Sequence, residues 1–516
     1  MMQPLLQRAS RGSASSSVVS AAAPIGGWNV RDPLSVMPPT DAIALENWFP
    51  TVTDVRIRDG ASSHVTGISG NVQSLLAYNS PTVSKLFAVT STQLFDVSVS
   101  GAVGASIKTF TNGRFLATHF TVPGGTYLIA VNGQDYLQQY NGTSWADINA
   151  SSTPAITGLD TRSLSNVCVH KQRLWFVQKN SMSMWYLPVT QIGGALVEFP
   201  LGQLFTRGGY LLAMATWTVD GGNGSDDYAV FLTSQGEVAV YSGVDPATNF
   251  ALVGVYYVGA PVGIKPMFKL GGDLLIITQT GLLPMSKALQ SATISRDVSV
   301  SNKIDAQFSN SAGLYYQNYG WEGDVFPEKN VLVVNVPTAE TQTSIQYVMN
   351  TITNAWCLFT GWNAFCFEYW NGDLYFGTAN AVAKAFDGGN DFGNPIQASA
   401  KTAFNYFGMP GLKHFKLFRP VLTVNGTVSI NVGIDVDFDD SVPVSPITQG
   451  SPSISTWDNA TWDVDIWDSA TVVLKDWMTV LNRPGYCAAL RVNVTSQDSS
   501  IGWGSTDFVI QRGGIL

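Results

Sequence analysis

Short apolar runs bounded by turn residues recur along most of this chain of 516 residues, and their spacing restricts the fold more than any other feature. From residue 72 to about 386, apolar and polar side chains alternate within each run. That is the period of a strand with one buried face. Lys85-Leu86-Phe87-Ala88-Val89-Thr90 is one such run. Tyr127-Leu128-Ile129-Ala130-Val131 ends at Asn132-Gly133, a dipeptide that tolerates the positive φ of a tight hairpin. Arg173-Leu174-Trp175-Phe176-Val177 passes through Lys179-Asn180-Ser181 into Met184-Trp185-Tyr186-Leu187. Tyr228-Ala229-Val230-Phe231-Leu232 precedes Glu237-Val238-Ala239-Val240-Tyr241, and Asp273-Leu274-Leu275-Ile276-Ile277 precedes Leu282-Leu283-Pro284-Met285. A last pair, Asp373-Leu374-Tyr375-Phe376-Gly377 and Val382-Ala383-Lys384-Ala385-Phe386, is read as turning at Ala379-Asn380.

These pairs repeat roughly every 40–55 residues, the period range of propeller blades, with one longer gap near 290–330. Taking Leu86, Leu128, Leu174, Val230, Leu275 and Leu374 as equivalent predicts about five or six irregular blades. No WD40 or kelch signature repeats, so consecutive meanders in two stacked sandwiches are the competing arrangement. Helical text is confined to a short candidate at 286–293 and one turn at 402–407.

After Asp391 the text changes. Arg419-Pro420-Val421-Leu422-Thr423-Val424, Asn425-Gly426 and Thr427-Val428-Ser429-Ile430-Asn431-Val432 read as a hairpin. A second pair of strands is expected near 486–494 and 507–511. Between them Trp-Asp recurs at Trp457, Trp462 and Trp467, a spacing of five that fits neither a helix face nor a strand face. It reads as an irregular loop. Residues 28–59 are distinct, with Pro33, Pro38, Pro39 and Pro50 and then Val55-Arg56-Ile57-Arg58-Asp59-Gly60, a segment expected to pair with the C-terminal sheet. The predicted class is therefore all-β, a β-propeller plus a β-strand platform built from both ends. The expected divisions are a flexible, mildly basic N-terminal arm (1–27) carrying Arg8 and Arg11, a platform segment (28–66), the propeller (67–390) and a C-terminal platform domain (391–516).

Composition narrows the function. Charged residues are 13 % of the chain and the formal charge is −9, against about 25 % charged in ordinary soluble domains. Disorder throughout is excluded by the 45 % hydrophobic and 11 % aromatic content. A basic, DNA-wrapping protein is excluded by the sign of the charge. A surface this short of charge suits burial against other chains. No apolar run reaches the roughly 18 residues of a membrane-spanning helix. The apolar part of a secretory signal is also missing. Cys168, Cys357, Cys366 and Cys487 form no CxxC pair and read as reduced, buried thiols.

Catalytic constellations are not found. His64, His119, His170 and His414 are too far apart for zinc motifs, and neither Gly-x-Ser-x-Gly nor a phosphate-binding loop occurs. Cys168 and His170 share a strand face, a poor arrangement for a nucleophile and its base. Asp435-x-Asp437-x-Asp439 has the alternation of a calcium loop but lacks its Gly and Glu, and reads as a solvated strand end. The chain is expected to be no enzyme and to need no cofactor or metal.

Pro24-Ile25-Gly26-Gly27-Trp28-Asn29-Val30-Arg31-Asp32-Pro33, Met37-Pro38-Pro39-Thr40-Asp41-Ala42, Glu46-Asn47-Trp48-Phe49-Pro50 and Val55-Arg56-Ile57-Arg58-Asp59-Gly60 make one recognisable opening. It resembles the N-terminal signature of tail nozzle or tail tubular protein B-like structural proteins of short-tailed (podovirus) bacteriophages, related to the hub that stabilises packaged DNA. Tyr140-Asn141-Gly142-Thr143-Ser144-Trp145 and the tandem Trp-Asp loop are also similar to text in that family. The resemblance implies a virion protein assembled in the host cytoplasm as a homohexameric ring in the tail, below the portal and the head-to-tail adaptor. It implies tail fibre or needle/extension proteins as further partners, and double-stranded DNA passing through the lumen without sequence-specific binding. Trp457, Trp462 and Trp467 are the expected interface anchors, because Trp is enriched at interface hot spots, and Arg8 and Arg11 are further interface candidates. The alternative is a propeller-type carbohydrate-binding or glycan-degrading tail protein, whose sialidase form would need Asp-box repeats that the chain lacks. A cellular propeller scaffold is a third reading.

Overall fold

Strands of four to ten residues, joined by short turns, build most of residues 58–396. The computed structural model describes residues 16–220, 225–288, 298–426, 428–439, 445–447 and 471–513. The chain divides into two units, Arg58–Ile396 and the combination of Met1–Ile57 with Gln397–Leu516.

Arg58–Ile396 is a propeller-like set of antiparallel sheets, and strand pairing gives seven of them among the described residues. Three are four-stranded meanders, running from Leu116–Val122 to Trp145–Ile148, from Leu164–His170 to Val197–Pro200, and from Leu211–Asp220 to Ala251–Tyr257. A three-stranded sheet covers Met267–Leu270, Asp273–Thr278 and Gly281–Pro284. A further meander runs from Glu322–Phe326 to Trp356–Phe359. The remaining two sheets share one strand of 19 residues, Ala61–Asn79. Its first half pairs with Asp373–Ala385, and its second half, from Val72, pairs with Ser84–Thr90. Gly67 and Gly70, at φ 81° and 98°, bend the strand between the two sheets. The first and last segments of the unit therefore complete one sheet together.

The six equivalent apolar positions expected from the sequence each lie on the second strand of a sheet and are buried. The seventh is Val333, in the long gap. That gap holds helix Asp305–Tyr315, which the sequence reading missed. Ser, Asn and Gly are poor helix formers, so packing decides here. Phe308 lies 5.7 Å from Tyr347 and 5.9 Å from Trp321, and Asp305 accepts hydrogen bonds from Ser299 and Ser301. The expected turn at Ala379-Asn380 is instead a bulge inside one strand, Asp373–Ala385. The expected turn of helix at 402–407 is also not formed: Asn405 makes a bridge to Ala488 there.

The other unit is built from both ends of the chain. Lys413–Asn425 pairs with Ser500–Arg512, which also pairs with Ser16–Ala22 and Val55–Ile57. A second layer joins Asp41–Glu46, Ile396–Thr402, Ala488–Ser496 and Val428–Val436. Lys413–Asn425 and Val428–Val436 are thus not a hairpin. Gly426, at φ 100°, turns the chain from one layer to the other. The pair expected at 486–494 and 507–511 is split between the layers in the same way. Pairing follows the buried face of each strand, and the turn dipeptide alone does not fix it. The arm expected at 1–27 is corrected in part: Ser16–Ala22 is a regular edge strand because seven of its residues pair with 505–511. The expected boundary at 66/67 moves to 57/58, since residues 61–71 belong to a propeller sheet.

Candidate functional site

The first strands of the seven sheets face a common cavity of about 370 Å³. One wall of it is ionic. Lys265 Nζ lies 3.6 Å from Glu322 and 3.7 Å from Asp324. Lys265 and Glu322 also form a backbone bridge, so neighbouring sheets meet at this point. The Phe367 N–H donates to Glu322, which brings in the strand that carries Glu368. Three sheets in succession therefore supply one lysine and three carboxyls.

Burial raises the Glu322 and Asp324 carboxyls above their usual range, against the pull of Lys265. Burial also lifts Glu368, to about 7. Burial works against the charge of Lys265, but Asp324, Glu322 and Glu368 outweigh it and push the lysine up. Beside this group the Tyr319 hydroxyl donates to the Gln73 carbonyl at 2.6 Å, and the Arg114 guanidinium stacks on the Tyr319 ring at 4.5 Å while pairing with Glu340. Sequence reasoning did not single out this cluster. Its residues are 57 and 46 positions apart, too far for a motif. The available signal was charge at inward positions of first strands in a chain poor in charge.

The residues that the sequence did single out are placed as follows. Trp457, Trp462, Trp467, Arg8 and Arg11 lie outside the described residues. Cys168 and His170 find separate partners: the thiol donates to the Val169 carbonyl at 3.6 Å, and His170 Nδ1 meets Thr216 Oγ1 at 3.0 Å. Burial pushes the Cys168 thiol up to about 11 and His170 down to about 4. A neutral thiol beside a neutral imidazole is no activated nucleophile. Asp435 is corrected from a solvated strand end to a fully buried carboxylate, held by Lys401 at 3.0 Å and Arg491 at 3.1 Å. Asp437 accepts from the Tyr486 and Cys487 amides, and Asp439 pairs with Arg483. The three aspartates are thus committed to different partners. Among the described residues no group of three His, Cys, Asp or Glu is placed to hold a metal ion, and no helix is long and apolar enough to cross a membrane.

The opening signature proves to be structural in detail. A Cβ on Gly26 would stand 2.0 Å from the Asp41 carboxylate, and one on Gly60 would stand 1.9 Å from the Asn390 carbonyl. Buried Asn29 donates to Asp41 at 2.7 Å and to Asp32 at 2.9 Å. Asn47, at φ 56°, donates to the Gln397 carbonyl at 2.7 Å. Trp48 packs edge-on against Trp503 at 6.1 Å. Arg58 has no exposed side-chain surface. It pairs with Asp391 at 2.5 Å, donates to the Thr360 carbonyl at 2.6 Å and stacks on Trp362 at 4.8 Å.

No family model matches the chain, and no curated protein matches it. Among solved structures it is similar to BBS1N from a crystal structure in complex with ARL6DN, at 10 % identity and TM-score 0.40, covering 64 % of this chain and 96 % of that one. It is also similar to the Pan2 WD40 domain of Neurospora crassa, at 12 % identity and TM-score 0.34, covering 61 % of this chain and 89 % of that one. Both likenesses concern the fold alone.

Proposed function

We propose that the chain is a structural subunit of a phage tail nozzle, a ring of six copies that retains and conducts DNA below the portal and adaptor. The observation that carries this reading is the unit built from both ends of the chain. The opening signature resembles that of the nozzle family, for which such a platform is expected, and Asn29, Asn47 and Trp48 of that signature hold partners within this unit. The role is mechanical, without catalysis. Six chains of −9 carry −54 in total, which repels phosphates and keeps a passing duplex mobile.

One edge also supports the reading. Ala251–Tyr257 closes its sheet with no charged residue and no Pro, and Leu252, Val253, Val255 and Tyr257 are exposed. Free edges are normally blunted by charge or Pro, as Trp145–Ile148 is by Asp147 and Val197–Pro200 is by Glu198 and Pro200. An edge with neither charge nor Pro, interrupted only by a bulge at Val253, suits coverage by another subunit. The adaptor, the fibre or needle proteins, a virion location and assembly in the host cytoplasm belong to the same proposal. Electron microscopy of the purified full chain, alone and with the adaptor, tests it. A six-fold ring with an open centre is expected. A monomer at every concentration, with no ring when adaptor is added, overturns the reading.

A further inference from the structure

We propose that Lys265, Glu322, Asp324 and Glu368 form a proton-dependent clamp across three successive sheets of the propeller-like unit. The clamp is tight while a proton is held among the carboxyls and loosens as the last of them ionises. This inference stands on the cavity wall alone and does not depend on the nozzle reading.

The geometry provides the device. Lys265 precedes the first strand of one sheet, Glu322 and Asp324 lie on the first strand of the next, and Glu368 lies on the first strand of the third. The lysine is within 3.7 Å of two of the carboxyls. The Glu322 carboxyl reaches the third strand through the Phe367 amide. One cation thus serves three potential anions. With all three ionised the group carries a net charge of −2, gathered around one lysine. With one proton retained the net charge falls to −1, and with two it is zero.

The other titratable groups facing the cluster do not cancel this excess. Cys366 is a thiol held neutral by burial, and burial also raises the Tyr319 hydroxyl. Arg114 is committed to Glu340. Lys269 and His119 line the same cavity: Lys269 acts on Cys168 and His170, and His119, lowered by burial, accepts from the Asn79 amide.

The sign of the pH dependence follows. A carboxyl raised in the folded chain keeps its proton where the unfolded chain has lost it, so unfolding releases a proton and stability falls as pH rises through that window. The window runs from the ordinary glutamate value of 4.5 to about 7 for Glu368. Lys265, being raised, stays charged throughout it.

The test is thermal unfolding of the full chain at pH 5 and pH 8, comparing wild type with Glu368→Gln and Glu322→Gln. An ordinary ion-pair partner of Lys265, once neutralised, would leave the protein less stable at pH 8. The clamp requires the opposite. Each variant should match wild type at pH 5 and melt at a higher temperature than wild type at pH 8. The Phe367 amide should lose up to about a hundredfold more exchange protection in wild type than in Glu368→Gln over the same range, corresponding to about two units of pKa. Should Glu322→Gln fail to fold, Glu368→Gln carries the test through the protons released on unfolding at pH 6. That number should drop by about one relative to wild type. A variant less stable than wild type at pH 8, or an unchanged proton count, overturns the proposal.

Discussion

The two units differ in how far along the chain their paired strands lie. In Arg58–Ile396 almost every strand pairs with its immediate successor, and only the shared strand Ala61–Asn79 reaches across the unit. In the other unit Ser17 bonds to Ile510 across 493 positions, and Lys413–Asn425 passes over its successor to pair with Ser500–Arg512. Local pairing leaves a periodic trace in the sequence, whereas distant pairing leaves only strands without partners. Local pairing also closes short loops at small entropic cost, while distant pairing has to overcome the ordering of the whole chain between.

The sharpest way to break this contrast is at the long-range ion pair that stands beside the shared strand of the propeller-like unit. Arg58→Ala leaves Asp391 buried without its cation and should cost about 3–5 kcal/mol in denaturant unfolding. Replacing the pair together, Arg58→Met with Asp391→Leu, should recover most of that loss. In the other unit, Trp503→Ala removes a fully buried indole and the partner of Trp48, for about 3 kcal/mol. If the units unfold separately, each substitution should shift only its own transition in a two-step melt.

Acid distinguishes the units next. His170 is held neutral in the fold, with its value lowered to about 4 from 6.5. Between those values the unfolded chain binds the proton, so stability falls as pH drops from 6.5 to 4, by about 2–3 kcal/mol. His170→Gln should flatten that fall in the propeller-like unit and leave the other unit unchanged. Removing residues 1–22 strips an exposed edge strand and should cost only about 1 kcal/mol, seen as faster amide exchange along Ser500–Arg512. Smallest of all, Val253→Lys on the uncharged edge should change stability by less than about 0.5 kcal/mol. In the proposed ring the same change should abolish assembly by mass measurement.

Particular residues show how much was readable. Leu86, Leu128, Leu174, Val230, Leu275 and Leu374 marked six sheets because each sits in a local hairpin. Val333 escaped because helix Asp305–Tyr315 interrupts the period, and that helix has no strong helical signal of its own. Asn425-Gly426 and Ala379-Asn380 misled for one reason. A turn-favouring dipeptide reports the backbone angle it permits and carries no record of which strand lies alongside. Asp435 was read as solvated because Lys401 and Arg491 are distant in sequence. The cavity cluster was unreadable for the same cause: Lys265, Glu322 and Glu368 become neighbours only when successive sheets turn to face one another.

By itself the sequence determined the all-β class, the repeating unit and the absence of a local catalytic motif, because these depend on interactions within a few tens of residues. Only the tertiary structure decided which strand closes the circle, which layer each terminal strand joins, and where three carboxyls meet one lysine. Those choices rest on burial and charge between groups far apart in the chain, and no local pattern encodes them.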